Sequence, residues 1–343
     1  ILRFPFVDLH DHPQSPGLFQ RVMGRVRNKL NLPPASTGDR YADIDVLYPS
    51  FGAQYQDVVS INWIPDFQHF HLPHLFTPSE NEQRTRSISQ IAEKPGLLVL
   101  SSKAAHTDFK TAFPDAKVTV RIWRFTSTMT ELETSGACDL GCYNLPDKYL
   151  YLPNQFWAHK NHITAFRALK ALRETGLEIP LVCTGLQEDR RDSSHMPRLL
   201  EFLAENDLQD HVWLLGLVPR RHQVEIFRRA AAVLQPSLFE GWSTVVEDTK
   251  TIGRPLVLSD LNVHREQMQQ FPELDHVFFD AEHQDQLTEI LKEKWPTFSS
   301  GPDIEAEEKA KIRAQHARVE AGSAFVGIVN DAIRHRERYQ YRV

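Results

Sequence analysis

The feature that most constrains this chain is the alternation in its second half. Brief apolar runs recur at Lys148–Leu152, Ile179–Thr184, Val212–Leu215, Ala232–Gln235, Pro255–Leu258 and His276–Phe279. Between and after them lie stretches with helical periodicity: Lys160–Glu174, with Ile163, Phe166, Leu169 and Leu172 on one face, then Met196–Glu205, Arg221–Ala230, Thr244–Thr251, Val263–Gln270 and Gln284–Lys292. The runs are continuous rather than alternating, so both faces of each strand must be covered by helices. Repeated strand–helix units with short links predict a doubly wound parallel sheet. Ligands of such sheets bind beyond the carboxyl ends of the strands. Gly185, Gly216 and Glu240 each stand just past such an end, so three separate segments point at one crevice.

The first half is less regular but again α/β. Asp45–Tyr48, Val58–Trp63, Leu97–Leu100 and Val118–Phe125 read as strands. Thr77-Pro78-Ser79-Glu80 spells a helix start, with Thr at the N-cap, Pro first and Glu third. Residues 1–34 carry a basic cluster, Arg21, Arg25, Arg27 and Lys29, and no glycine-rich strand–turn–helix. At 343 residues the chain is long for one core. The expected division is residues 1–140, residues 141–303 and a helical tail over 304–343, with the polar stretch Thr126–Pro146 as linker. A net charge of −6 argues against a general nucleic-acid binder. No apolar run is long enough to span a bilayer. Three cysteines, Cys138, Cys142 and Cys183, make no four-ligand zinc set and fit a reducing cytoplasm. The basic cluster could touch an anionic membrane surface or an anionic acceptor, although a solvated helix face explains it as well.

The chemistry concentrates in Glu240-Gly241-Trp242-Ser243-Thr244-Val245-Val246-Glu247. Two carboxylates flank a polar turn that opens a helix, and helix N-termini attract anions. The turn would offer backbone N–H groups to a diphosphate. Glu247 would accept from ribose hydroxyls, and Glu240 would face a sugar. Plainer readings stand beside these. Thr244 and Glu247 also form a capping-box pattern, Glu240 could be a solvated loop acid, and Trp242 could be a packing aromatic. Lys160 at a helix start is electrostatically unfavourable unless an anion accompanies it. His69 and His71 are spaced too simply to argue for a metal. Asp43-Ile44-Asp45 resembles a metal-binding carboxylate pair by chance.

Three segments carry a family resemblance: Tyr151 to His162 (YLPNQFWAHKNH), Gly216-Leu217-Val218-Pro219, and the Glu240–Glu247 block. They resemble retaining glycosyltransferases of the large family 4, and Asp45–Pro49 and Trp63–His69 resemble that family's first domain. The resemblance implies a GT-B fold: two Rossmann-like domains with parallel sheets facing across a cleft, and C-terminal helices packing at the end. It implies a metal-independent, retaining transfer of a sugar from a nucleoside-diphosphate sugar to the hydroxyl of a glycan, lipid or small-molecule acceptor, without a cofactor. By position it assigns Lys160 to the diphosphate and Glu240 to the donor sugar. Gln155, Gly216, Leu217, Val218, Gly241, Trp242, Ser243, Thr244 and Glu247 would complete the donor site, with His69 and Asp66 on the acceptor side. The chain departs from the pattern in four places, the first being the absence of the family's N-terminal glycine-rich loop. Gln155 stands where an Arg is usual, Pro65 stands where a His precedes the Asp, and six residues separate Glu240 from Glu247 where the family has seven. A nucleotide-sugar epimerase of the same fold, or a non-catalytic protein that binds a nucleotide sugar or a partner protein, is the alternative.

Overall fold

A computed structural model describes residues 44–51, 58–127, 129 and 138–336. The basic cluster Arg21–Lys29 and Asp43 lie outside the described residues.

The first domain holds a four-stranded parallel sheet in the order β1-β2-β3-β4, made of Val46–Leu47, Val59–Trp63, Leu97–Leu100 and Thr119–Ile122. Its helices are α1 (Gln68–His71), α2 (Pro78–Ala92) and α3 (Lys103–Ala112). The Thr77 cap forms as read: its hydroxyl accepts the Glu80 N–H at 3.2 Å, and the Glu80 carboxylate accepts the Thr77 N–H at 2.8 Å. Strand β3 shows the period of two. Leu98 and Leu100 pack with Phe67, Ile88 and Phe109 on one face, and Leu97 and Val99 pack with Val59 and Ile61 on the other.

The second domain holds six parallel strands in the order β10-β9-β8-β5-β6-β7. They are β5 (Leu150–Leu152), β6 (Leu181–Cys183), β7 (Val212–Leu214), β8 (Ala232–Gln235), β9 (Leu256–Ser259) and β10 (His276–Phe279). Between them run α4 (His162–Glu174), α5 (His195–Glu205), α6 (Arg220–Arg229), α7 (Thr244–Ile252) and α8 (Asn262–Met268), with α9 (Gln284–Lys294) after the last strand. Leu150, Leu152, Leu181, Leu234 and Val257 meet α4, α5 and α9 on one face, while Tyr149, Tyr151, Val182, Val233 and Leu258 meet α6 and α7 on the other. Both faces are covered, which is why the runs read as continuously apolar.

The long helix α10 (Ile304–Arg334) spans both domains. Its first turns lie on α7. Glu307 pairs with Arg228 at 3.0 Å, and Ala310 and Ala314 are buried. Gly253, which ends α7 at φ 77°, has no room for a side chain, because a β-carbon there would lie 2.7 Å from the Ala306 carbonyl oxygen. Farther on, the Trp123 indole donates to the Ala321 carbonyl at 2.9 Å, Asp331 pairs with Arg121 at 3.0 Å, and Ile328 and Ala332 close the open face of the first sheet. The later turns of α10 thus cover the first domain, and the helix straps the two domains together. Among the described residues, no helix is long and apolar enough to cross a membrane.

Candidate active site

The strand order fixes where a ligand can enter. The chain lays down β5, β6 and β7 in one direction, then returns to place β8 on the other side of β5. The reversal opens a crevice beyond the carboxyl ends of β5 and β8. Lys160 follows β5 and Glu240 follows β8, and they meet there with Lys160 Nζ 2.6 Å from Glu240 Oε1. The same oxygen accepts from Gln235 Nε2 at 2.8 Å and from the Ser237 hydroxyl at 2.7 Å. Burial is the largest single influence on Glu240 and opposes its ionisation, but the Lys160 charge and hydrogen bond together with His264 and His159 outweigh it and hold the carboxyl below its ordinary value.

Lys160 ends a 3₁₀ turn, Ala158–Lys160, rather than opening the following helix as its sequence suggests. The reason is Asn161, which adopts the left-handed conformation at φ 58° and resets the chain before α4 begins at His162. The Asn161 amide donates to the carbonyls of Pro236 and Ala281 at 3.1 and 3.0 Å, and Leu238 N–H donates to the His159 carbonyl at 2.8 Å. The two loops that carry Lys160 and Glu240 are therefore stitched together through the backbone.

In the block after Glu240, Ser243 rather than Thr244 caps the helix. Its hydroxyl accepts the Val246 N–H, and Thr244 is exposed in the first turn. With the cap one residue earlier, Glu247 has no capping partner and turns inward. Its Oε1 accepts from Lys250 at 2.9 Å and from Gln267 Nε2 at 2.8 Å, and Glu247 and Lys250 are each only 3% exposed in their side chains. Burial pushes the Glu247 carboxyl up and the Lys250 ammonium down, so desolvation exceeds their mutual attraction on both sides. The next residue, Asp248, faces the other way. Its Oδ2 accepts from Arg220 at 3.1 Å, and its Oδ1 accepts from the Ser127 hydroxyl. Arg220 opens α6 directly after Gly216-Leu217-Val218-Pro219. Seven residues separate Glu240 from Asp248.

The other candidates scatter. Gln155 is exposed. Gly216 takes a positive φ of 68°, Leu217 is 73% exposed beside it, and Val218 packs on the core. Gly241 sits at the seam between domains, where a β-carbon would lie 2.2 Å from the Pro65 carbonyl oxygen. Trp242 is buried in the same seam. Its indole donates to the Phe125 carbonyl at 2.9 Å and its ring meets that of Phe125 edge-on, so it packs between domains. Asp66 accepts from Arg84 at 2.8 Å and from the Gln68 N–H at 3.0 Å. His69 is buried beside Phe70, and both ring nitrogens are without hydrogen-bond partners. Burial, then the Arg84 charge, lowers its pKa, so it is a neutral imidazole. Sequence reading missed Arg191, which follows β6. Its guanidinium reaches Asp189 at 3.2 Å, Gln68 of the first domain at 3.2 Å and His159 Nδ1 at 3.3 Å. His159 accepts that contact as a neutral ring, since burial and the adjacent Lys160 bring its pKa down to about 3.

Beside Glu240 the domains enclose a cavity of about 610 Å³. Its walls include His71, Lys103 and Asp108 of the first domain and Phe239, Glu240 and Glu266 of the second. His69 and Asp66 do not line it; His71 does.

Comparison with known proteins fits this geometry. Residues 144–294 match the family described as glycosyl transferases group 1. The matched stretch is the second domain, up to the end of α9, and the superposed structures show the fold to be GT-B. Sucrose-phosphate synthase from Thermosynechococcus elongatus superposes with a TM-score of 0.64 at 14% identity, over 91% of this chain and 78% of that one. The apo structure of OtsA gives 0.62 at 13% identity, over 90% and 76%. HepE of Anabaena, in complex with UDP-glucose, gives 0.57 at 14% identity, over 81% and 71%. At such identities the superpositions speak for the fold. A comparison with curated proteins finds no match.

Proposed function

We propose that this glycosyltransferase moves a hexosyl group with retention from a nucleoside-diphosphate sugar to an acceptor hydroxyl, without a metal. The observation that carries the proposal is the Lys160–Glu240 contact of 2.6 Å at the switch point between β5 and β8. In the proposed complex the donor lies along the carboxyl edge of the second sheet. Its nucleoside sits at the end of β7, against Leu217, with Asp248 accepting from the ribose hydroxyls. Its diphosphate meets Lys160 and the N-terminus of α7, where partial positive charge offsets the charge that grows on the leaving group. Arg191 supplies the second cation in place of the Arg that Gln155 replaces. Its hexose takes over Glu240 as Lys160 turns to the diphosphate. That HepE is seen with UDP-glucose supports a uridine donor as the first to try.

The step needs no side-chain nucleophile. The bond between the anomeric carbon and the phosphate oxygen breaks, and the acceptor oxygen attacks the same face. Its proton passes to the departing phosphate oxygen. Release of UDP from UDP-glucose, with and without EDTA, tests the reading. UDP release that persists in EDTA and falls at least tenfold in Lys160→Ala and Glu240→Ala is expected. Full turnover in both variants, or abolition by EDTA, contradicts it.

A further inference from the structure

We infer that the cavity beside Glu240 is the acceptor pocket, and that it takes a neutral, hydroxyl-rich carbohydrate. The inference rests on the donor placement just proposed. Its first support is the strand order. Along the carboxyl edge the sheet runs β7, β6, β5, β8, β9. Gly216 stands at β7, Lys160 after β5, Glu240 after β8, and Asp260 after β9. Neighbouring strands are about 4.8 Å apart. A donor with its nucleoside at β7 and its hexose at β8 has used the edge up to Glu240. The cavity begins at Glu240 and Gly241 and extends past Asp260 toward α8, one strand beyond the hexose and away from the nucleoside. An acceptor there approaches the anomeric carbon from outside the donor.

The second support is the chemistry of the walls. At about 610 Å³ the cavity is within the roughly 300–1,000 Å³ of small-molecule sites. Its charges are largely matched. His71 Nε2 lies 2.9 Å from Asp108 Oδ2, and Arg265 donates to Asp260 at 2.7 Å. Glu266 accepts the Lys103 N–H at 2.8 Å and the Arg124 guanidinium at 2.6 Å. A wall of paired charges offers donors and acceptors side by side, which suits hydroxyl groups because each both donates and accepts. An acyl chain would strip water from these groups without replacing it. An anionic acceptor would meet four carboxylates, Asp108, Glu240, Asp260 and Glu266, beside basic partners already engaged by them. Phe239, whose ring lies 5.0 Å from that of His71, gives the apolar face of a pyranose a surface to pack on.

The test uses the whole chain saturated with whichever of UDP, GDP or ADP raises its melting temperature. Binding is read on an array of neutral oligosaccharides, their phosphorylated forms and polyprenyl-phosphate-linked sugars. Two variants fill the cavity from opposite walls, Thr107→Trp on α3 and Gln269→Trp just past the end of α8, both at exposed positions. Binding to neutral oligosaccharides that falls at least tenfold in both variants, with nucleotide affinity within twofold of wild type, is the expected result. Three results overturn the inference while nucleotide binding stands: binding only to phosphorylated or lipid-linked sugars, binding to no glycan, or variants that bind as wild type. Absence of nucleotide binding refutes the donor reading itself, and the melting-temperature measurement registers that separately.

Discussion

The adjacent acids Glu247 and Asp248 should behave as opposites, and this separates a fold-holding carboxylate from a ligand-binding one. Glu247→Ala leaves Lys250 buried at 3% exposure without its counter-ion. Breaking one side of such a pair costs about 3–5 kcal/mol. At about 2–4 °C per kcal/mol for a unit of this size, the melting temperature should fall by roughly 6–20 °C. The double variant Glu247→Leu/Lys250→Met removes both charges, and stability should return to near wild type. Neither should change donor affinity more than twofold below the transition. Asp248→Asn keeps the shape and removes the charge that would accept from the ribose. A hydrogen bond to a charged group is worth about 1.5–3 kcal/mol, which corresponds to a roughly 10- to 150-fold weaker dissociation constant. Differential scanning fluorimetry reads the first effect, and calorimetric titration with UDP-glucose reads the second. The reasoning is refuted if Glu247→Ala melts like wild type yet loses the donor while Asp248→Asn binds normally.

Two further outcomes follow from the geometry. Gly241→Ala places a β-carbon 2.2 Å from the Pro65 carbonyl oxygen, so the domains cannot meet as they do. The turnover rate should fall more than tenfold at an unchanged melting temperature of the second domain, and small-angle scattering should show a more open particle; a wild-type rate would contradict this. His162 is fully buried and stacked on Phe156 at 4.0 Å between ring centres, and burial holds its pKa down to about 3 against an ordinary 6.5. A depressed histidine contributes stability that is complete above pH 6.5 and is lost as pH falls toward about 3. His162→Phe should therefore move the acid-unfolding midpoint, followed by circular dichroism, to lower pH; an unmoved midpoint would show that the ring is not the titrating group.

Much of the second domain was legible because its signal is local. Continuous apolar runs such as Leu181–Cys183 and Leu256–Ser259 stand out against helices with one apolar face, and the parallel sheet follows from that alternation. The crevice was legible for the same reason, since Lys160 and Glu240 both follow strands. What was not legible depends on a turn or on the other domain. The left-handed Asn161 moved Lys160 out of its helix, and the Ser243 cap turned Glu247 inward and Asp248 outward, a rotation of one residue that apolar periodicity does not register. Trp242 and His71 acquire their places only from first-domain partners, Phe125 and Asp108. Arg191 sits in a loop with no pattern of its own, and its reach to Gln68 exists only once the domains meet.

The central claim is that a nucleoside-diphosphate sugar binds at the reversal between β5 and β8 and engages Lys160. Calorimetric titration of wild type and Lys160→Ala with UDP-, GDP- and ADP-glucose tests it most directly. The account predicts saturable binding of one of these by wild type, weakened at least tenfold in Lys160→Ala with an unchanged melting temperature. Equal affinity in the variant, or no binding of any of the three, would contradict it.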